Sequence, residues 1–196
     1  SNQNIYNMMR FGVEGIKLNQ GENEQRVHLI DWEKPENNHF AIAEEVSIVR
    51  KSGSTKRPDV VIYVNGIALG VLELKRGTVA IEEGIRQNIT NQQEGLIQPF
   101  FSTVQFTFAG NESQGLKYGT IGTPEKFYQS WKEDIEDNSR LELYKYLIKM
   151  CDKERFLDII YNCVLFDGGI KKLPRVHQYF GLKASQEHVK ERKGGI

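Results

Sequence analysis

Cysteine is scarce in this chain. Two thiols, Cys151 and Cys163, occur in 196 residues, twelve positions apart in a segment that reads as helical, with no histidine or further cysteine at zinc-ligand spacing. A disulfide framework and a zinc module both need more than this, so reduced, buried thiols are expected. Long apolar runs are also missing: the longest break at Asn65-Gly66 or at Asn162, short of the roughly 20 residues of a membrane-spanning helix. With no basic leader ahead of an apolar core and a small-residue cleavage site, the expected setting is cytoplasmic, without a membrane partner. Neither sign of charge is in excess, since 26 basic residues balance 26 acidic ones for a net charge of +0. A surface that grips a polyanion everywhere is thereby excluded, and any contact with phosphates must rest on local clusters. A G-x-x-x-x-G-K-[ST] phosphate loop is absent too, so ATP cannot be fully held by this chain. What remains is ordinary soluble composition, 39% hydrophobic and 27% charged, at a length that suits one core with appendages.

What is present concentrates between residues 57 and 75. Arg57-Pro58-Asp59-Val60-Val61-Ile62-Tyr63-Val64-Asn65-Gly66-Ile67-Ala68-Leu69-Gly70-Val71-Leu72-Glu73-Leu74-Lys75 reads as two apolar strands joined by an Asn-Gly turn, the strongest short-range hairpin signal. Asp59 opens the first strand; Glu73 and Lys75 close the second on one face, with Leu72 and Leu74 on the other. Charge at the ends of otherwise buried strands needs compensation. A structural ion pair, with Lys75 neutralising a carboxylate at the sheet rim, is one reading. Metal-assisted hydrolysis is the other: two carboxylates on adjacent strands supply the oxygen ligands Mg2+ prefers, and a neighbouring lysine can orient the attacking water and counter charge on a phosphate. Basic residues gather at the same place, with Arg50, Lys51, Lys56 and Arg57 before the hairpin and Lys75 and Arg76 at its end; such a cluster is either solvated surface or a phosphate contact. A strict two-residue turn pairs Val64 with Ile67 and sets Asp59 opposite Leu72, on the wrong face from Glu73. Bringing the carboxylates together therefore predicts a three-residue loop or a β-bulge, most simply with Gly66 left-handed, or an Asp59 that precedes the ladder.

Pro58-Asp59, a hairpin's length, then Glu73-Leu74-Lys75 resembles the PD-(D/E)xK nuclease motif. The surrounding segments narrow the likeness to the amino-terminal nuclease region of the restriction subunit of type I restriction-modification enzymes. Leu29-Ile30-Asp31-Trp32 and Asn37-Asn38-His39-Phe40 lie before the hairpin; Gly119-Thr120-Ile121-Gly122-Thr123 and Phe127-Tyr128-Gln129-Ser130-Trp131-Lys132 follow it; Phe156-Leu157-Asp158-Ile159-Ile160-Tyr161-Asn162 and Arg175-Val176-His177-Gln178-Tyr179 come near the end. These matches run in order over nearly the whole chain.

The resemblance implies an α/β, restriction-endonuclease-like mixed β-sheet flanked by helices, with a helical C-terminal extension. It divides the chain into a nuclease-like domain over residues 1–133, a helical extension over 134–167, and, over 168–196, a linker with the start of a helicase-like motor domain that stops before the phosphate loop. It implies Asp59, Glu73 and Lys75 as catalytic residues, with Asp59, Glu73 and the backbone carbonyl of Leu74 holding Mg2+ for cleavage of double-stranded DNA, the activity of a type I site-specific deoxyribonuclease. Arg57, Arg76 and Gln87 would contact DNA. Gln87 matches the Gln of the QxxxY motif in this nuclease branch, although Asn91 stands where that motif has Tyr. Gln178 matches a helicase-type glutamine that contacts adenine. Methyltransferase and specificity subunits would be partners, ATP would be bound by the full-length subunit, and the isolated piece would be weak or inactive. A further acidic ligand is left open among Glu14, Glu44 and Glu45. Two rival readings remain beside this one: a non-catalytic DNA-binding or docking module with a vestigial motif, which loss of Asp59, Glu73 or Lys75 would have favoured, and a RecB-like repair nuclease, against which the flanking segments argue.

Elsewhere, patterning predicts a weak helix and turn over residues 5–16 and strands over 25–32 and 46–50. A helix capped by Thr78 should pack on the sheet through Ile81, Ile85 and Ile89, with Gln87 nearly opposite. Strands are expected over 103–108 and 116–121. Helices are expected over 127–131, 140–150, 153–164 and 176–193, the second with a core stripe of Leu141, Tyr144, Leu147 and Ile148. Residues 168–174 read as a linker.

Overall fold

The computed structural model describes residues 2–21, 23–133 and 141–193. The chain begins with α1 (Asn2–Phe11) and the antiparallel pair β1 (Val13–Ile16) and β2 (Gln25–Val27). After a 3-10 turn at Pro35–Asn37 come β3 (Phe40–Glu44), a two-stranded ribbon of β4 (Ile48–Val49) and β5 (Thr55–Lys56), and the hairpin of β6 (Val60–Val64) and β7 (Ile67–Leu74). α2 (Ile81–Asn91) leads to β8 (Phe106–Asn111), β9 (Gly115–Gly119) and β10 (Gln129–Ser130). The described chain ends with α3 (Glu142–Met150), α4 (Lys153–Asp158) continued by a π-helical turn at Ile159–Cys163, the pair β11 (Leu165–Asp167) and β12 (Ile170–Lys172), and α5 (Val176–Lys193).

Six strands form one mixed sheet in the order β10-β9-β8-β7-β6-β3, in which β7 and β8 alone run parallel. Parallel neighbours need a crossover connection, and α2 provides it. All of β8 is buried, as a strand covered on both faces must be. On one face Phe106 stacks on Phe108 and meets Phe156, in a core shared with Tyr118, Trp131 and Met150; each such aromatic ring contributes roughly 1.5–3 kcal/mol on burial. On the other face, Val61, Ala68 and Val71 pack under Ile97, Phe101 and Val104. This is the sheet flanked by helices that the sequence predicts. No helix among the described residues is long and apolar enough to cross a membrane. Cys151 and Cys163 are free thiols that burial pushes up to about 12 and about 11.

Several local expectations are corrected. Residues 127–131 are a 3-10 turn (Glu125–Phe127) followed by β10, because Tyr128 and Trp131 are buried on opposite sides of the sheet, Tyr128 with Ile81 and Ile85 and Trp131 with Tyr118. Extended chain puts residues three apart on opposite faces; a helix would put them on one. On α3 the buried residues are Leu143 and Met150, while Leu141, Tyr144 and Ile148 are exposed. Leu143 wins because its Cδ1 lies where a Cβ on Gly110 would sit, so the bare backbone of β8 makes its socket. The expected start of this helix at Arg140 lies outside the described residues. α2 begins at Ile81, not beside Thr78, and its first N–H donates to the Gln114 side chain at 2.8 Å. Within residues 168–174 the chain makes β12, paired with β11, where composition suggests a linker.

That hairpin buries Lys171. Its ammonium donates to the Gln105 side chain and, at 3.4 Å, to the Val104 carbonyl, and it lies over the Tyr6 ring. Burial pushes its pKa down to about 7, against about 10.4 unfolded. Between those values the unfolded chain binds the extra proton, so stability rises with pH from about 7 towards 10. Lys171→Met is therefore expected to be more stable than the wild type by on the order of 2 kcal/mol at about pH 6, with the gap closing near pH 10. Thermal unfolding of the two proteins across that range checks this, and a gap independent of pH contradicts it.

Candidate active site

Asn65 and Gly66, with φ of 50° and 78°, form a two-residue turn that pairs Val64 with Ile67. The expected obstacle to joining Asp59 and Glu73 is removed further along. Tyr63 pairs with Ala68 but Ile62 pairs with Gly70, leaving Leu69 as the extra residue of a β-bulge. The bulge shifts the register by one, so Val60 pairs with Leu72 and Asp59, at the bend just before β6, falls level with Glu73. The approach to β8 secures it: Gln105 N–H donates to the Leu69 carbonyl at 2.7 Å and Thr103 Oγ1 to the Ala68 carbonyl at 2.8 Å.

Leu74 N–H donates to Asp59 Oδ2 at 2.6 Å. The N–H and C=O of one strand residue project to the same side, so the Leu74 carbonyl is also directed towards Asp59. Glu73 is fully buried. Its Oε2 accepts from Gln87 Nε2 at 2.6 Å, and Asn91 Nδ2 lies 3.5 Å from Oε1. Lys75 Nζ donates to Gln87 Oε1 at 2.7 Å, so one amide ties the lysine to the glutamate. Burial, then the negative charge of Asp59, push the Glu73 carboxyl up to about 8, with Lys75 and Lys56 pulling the other way.

α2 reaches this cluster because of Gly84, where an added Cβ would stand 3.2 Å from Ala109 Cβ and 3.4 Å from the Glu73 carbonyl. The helix turns a mostly polar arc to the sheet: Gly84, Asn88 and Asn91 are buried, and Asn88 Nδ2 donates to the Phe108 carbonyl at 2.8 Å. Ile81 and Ile85 fill one flank, and Gln87 faces the carboxylates, where the isoleucine spacing points it away. Sequence reasoning missed Gly84 and Asn88, and met Asn91 only as a departure from the QxxxY motif. The signal was there, small and polar residues at 84, 88 and 91 in helical spacing, overlooked beside the apolar stripe.

The other candidates lie apart from this cluster or at its rim. Arg57 is exposed, 3.7 Å from Glu45, and Arg76 is exposed beyond Lys75. Gln178 accepts from the Arg175 N–H at 2.8 Å at the start of α5 and is not brought to the cluster. Glu14 pairs with Arg26 and Glu45 with Arg57; Glu44 is exposed at the end of β3. Among the described residues no three His, Cys, Asp or Glu side chains are grouped to hold a metal ion. Asp59, Glu73 and the Leu74 carbonyl form an all-oxygen set, and such a set suits Mg2+, which keeps several of its waters and takes only one or two carboxylates. Two clefts, of about 640 and 670 Å3, are lined by other residues and include none of Asp59, Glu73 or Lys75.

The family described as the type I restriction enzyme R protein N terminus matches residues 1–126. The chain belongs to that family. It is 29% identical over 198 residues to the type I restriction enzyme HindI endonuclease subunit of Haemophilus influenzae, covering 92% of this chain and 18% of the relative. It is also 29% identical over 185 residues to a putative type I restriction enzyme MjaVIIIP endonuclease subunit of Methanocaldococcus jannaschii, covering 88% of this chain and 17% of that one. The chain thus spans less than a fifth of the length of these relatives, and its fold is restriction-endonuclease-like, as expected for the R-subunit N-terminal family.

The buried carboxyl gives a direct test of the site's electrostatics. Glutamate ionises near 4.3 when unfolded and at about 8 here. The stability contributed by the protonated form is complete below the unfolded value and is lost as pH rises through the folded one. Without divalent cations, Glu73→Gln should exceed the wild type in stability by on the order of 2–4 kcal/mol at about pH 9 and converge with it near pH 4. Denaturant unfolding measures this, and a variant no more stable than the wild type at high pH would mean that Glu73 is already ionised and fully compensated.

Proposed function

We propose that the Asp59–Glu73–Lys75 cluster hydrolyses phosphodiester bonds of double-stranded DNA with Mg2+, as the nuclease part of the endonuclease subunit of a type I restriction complex. The observation that carries this reading is the bulge at Leu69, which sets Asp59 level with a buried Glu73. A fold that needed only a structural ion pair gains nothing from placing two carboxylates together.

Asp59, Glu73 and the Leu74 carbonyl would hold the cation. Bound there, Mg2+ supplies Lewis-acid polarisation of the scissile phosphate and a water of lowered pKa. Lys75 is aimed by one hydrogen bond to Gln87, which leaves two ammonium protons for the attacking water and for charge developing on the phosphate. Gln87 holds Glu73 and Lys75 at a fixed separation through both ends of its amide, and the exposed Arg57 and Arg76 would contact flanking phosphates. In this reading sequence recognition comes from specificity and methyltransferase subunits, ATP is used elsewhere in the full-length subunit, and the setting is the cytoplasm.

In a full-length subunit assembled with its partners, Asp59→Ala or Lys75→Ala should lower DNA cleavage by about a hundredfold or more, with ATP-driven translocation retained. Cleavage at the wild-type rate would return the triad to a structural role. With a net charge of +0, the 196-residue chain alone should bind duplex DNA weakly and lose binding quickly with added salt. Submicromolar affinity near physiological salt, with rapid Mg2+-dependent cutting, would instead establish a free-standing nuclease.

A further inference from the structure

Asn91 lies at the C-terminal end of α2 and is 2% exposed. Its Nδ2 is 3.5 Å from Glu73 Oε1, while Oδ1 of the same amide is buried and has no hydrogen-bond partner among the described residues. Leaving a buried acceptor unpaired costs about 1–3 kcal/mol, and a leucine would occupy similar space without that cost. An orphaned oxygen in a packed interior points to a donor that the polypeptide does not contain, and water is the smallest that serves.

The neighbouring amide shows what saturation looks like here. Gln87 uses both its ends at 2.6 and 2.7 Å, and it occupies Oε2 of Glu73. Oε1 accepts the long contact from Asn91, and the Glu73 carboxyl also lies within hydrogen-bonding reach of Asp59, so the two acids present oxygens to one point beside that amide. The unpaired Oδ1 belongs to the same amide.

We propose that Asn91 is a positioning residue of the cation-bound state: Nδ2 restrains Glu73 Oε1, and Oδ1 accepts a hydrogen bond from a water in the hydration shell of a divalent cation held by Asp59 and Glu73. The assignment rests on the metal-dependent reading above and extends it to a residue that contributes no ligand itself. Cations of the Mg2+ type retain waters when bound, and groups that hold the outer shell typically change affinity by about 10–100-fold.

The test uses the whole 196-residue chain with Mn2+ as the probe, followed by electron paramagnetic resonance of the free ion, together with thermal unfolding in its absence. Asn91→Leu should weaken Mn2+ binding by about tenfold or more, yet leave the metal-free protein at least as stable as the wild type, since the orphaned acceptor is gone. A merely structural asparagine behaves in the opposite way, with stability lost and affinity unchanged, and that result overturns the proposal. Asn91→Asp, which keeps an acceptor, should bind Mn2+ at least as tightly as the wild type, and Asn91→Ala should not; this pair decides the matter even where the leucine variant fails to fold. Asp59→Ala separates the two levels. If it binds Mn2+ as tightly as the wild type, the metal site itself is wrong and the role of Asn91 falls with it; if it loses binding while Asn91→Leu and Asn91→Ala do not, only the role of Asn91 falls.

Discussion

Glu73 is buried beside a second carboxylate, and the geometry of the site follows from that constraint. In a low-dielectric interior neither charge can be left uncompensated, so the chain around Glu73 is arranged to supply hydrogen-bond donors and nearby cations. The bulge at Leu69 sets Asp59 level with it, the Leu74 N–H fixes Asp59, and Gly84 lets α2 come close enough for Gln87 to reach both Glu73 and Lys75. These contacts tether the glutamate without neutralising it. A proton, which the raised pKa of Glu73 favours, compensates it in the metal-free state, and on the proposed function a cation would take that place.

The hairpin and its three charged residues are legible in the sequence because they depend on short-range chemistry. Asn-Gly dictates the turn, and the period of two dictates the faces. The need for an irregularity can also be derived, but its position cannot. Leu69 is the bulged residue because Gln105 and Thr103, far along the chain, take the carbonyls of Leu69 and Ala68. α2 is harder to read for a related reason. Its isoleucines suggest which face is inside, yet an active site is where buried polar side chains displace apolar ones, and Asn88 and Asn91 occupy much of the arc against the sheet. β10 and α3 escape sequence reading through tertiary fit: Tyr128 and Trp131 serve opposite faces of the sheet, and Gly110 selects Leu143.

Residues from 141 to 180 are part of what holds the sheet that carries Asp59 and Glu73. Phe156 packs on Phe106, Tyr179 meets Trp131, and Arg155 bridges Glu133 while lying over the rings of Tyr179 and Phe180. The match to the R-protein family stops at residue 126, but the hydrophobic core does not, since it continues through Val164 to Tyr179. Gln105 links the two regions: its backbone N–H helps set the bulge, and its side chain accepts from the buried Lys171 on β12. The register that aligns Asp59 with Glu73 is therefore braced by the hairpin of β11 and β12 as well as by the strands that carry the two residues.

Charge also connects the site to the unremarkable composition of the chain. Near neutral pH the raised pKa of Glu73 keeps that carboxyl largely protonated, beside Asp59 and with Lys56 and Lys75 close by. On the proposed function, exchanging the Glu73 proton for a dication would release one positive charge and introduce two, making the cluster more positive by one unit. The pull on a phosphate would then be strongest with the cation in place. A chain with no overall basic excess offers little general electrostatic hold on a polyanion, and in that reading its attraction for the DNA backbone would be concentrated at the site and conditional on the cation. On the proposed function, holding the duplex is left to the rest of the complex, while Asp59 and the buried Glu73 would confine cutting to the place where cation and phosphate meet.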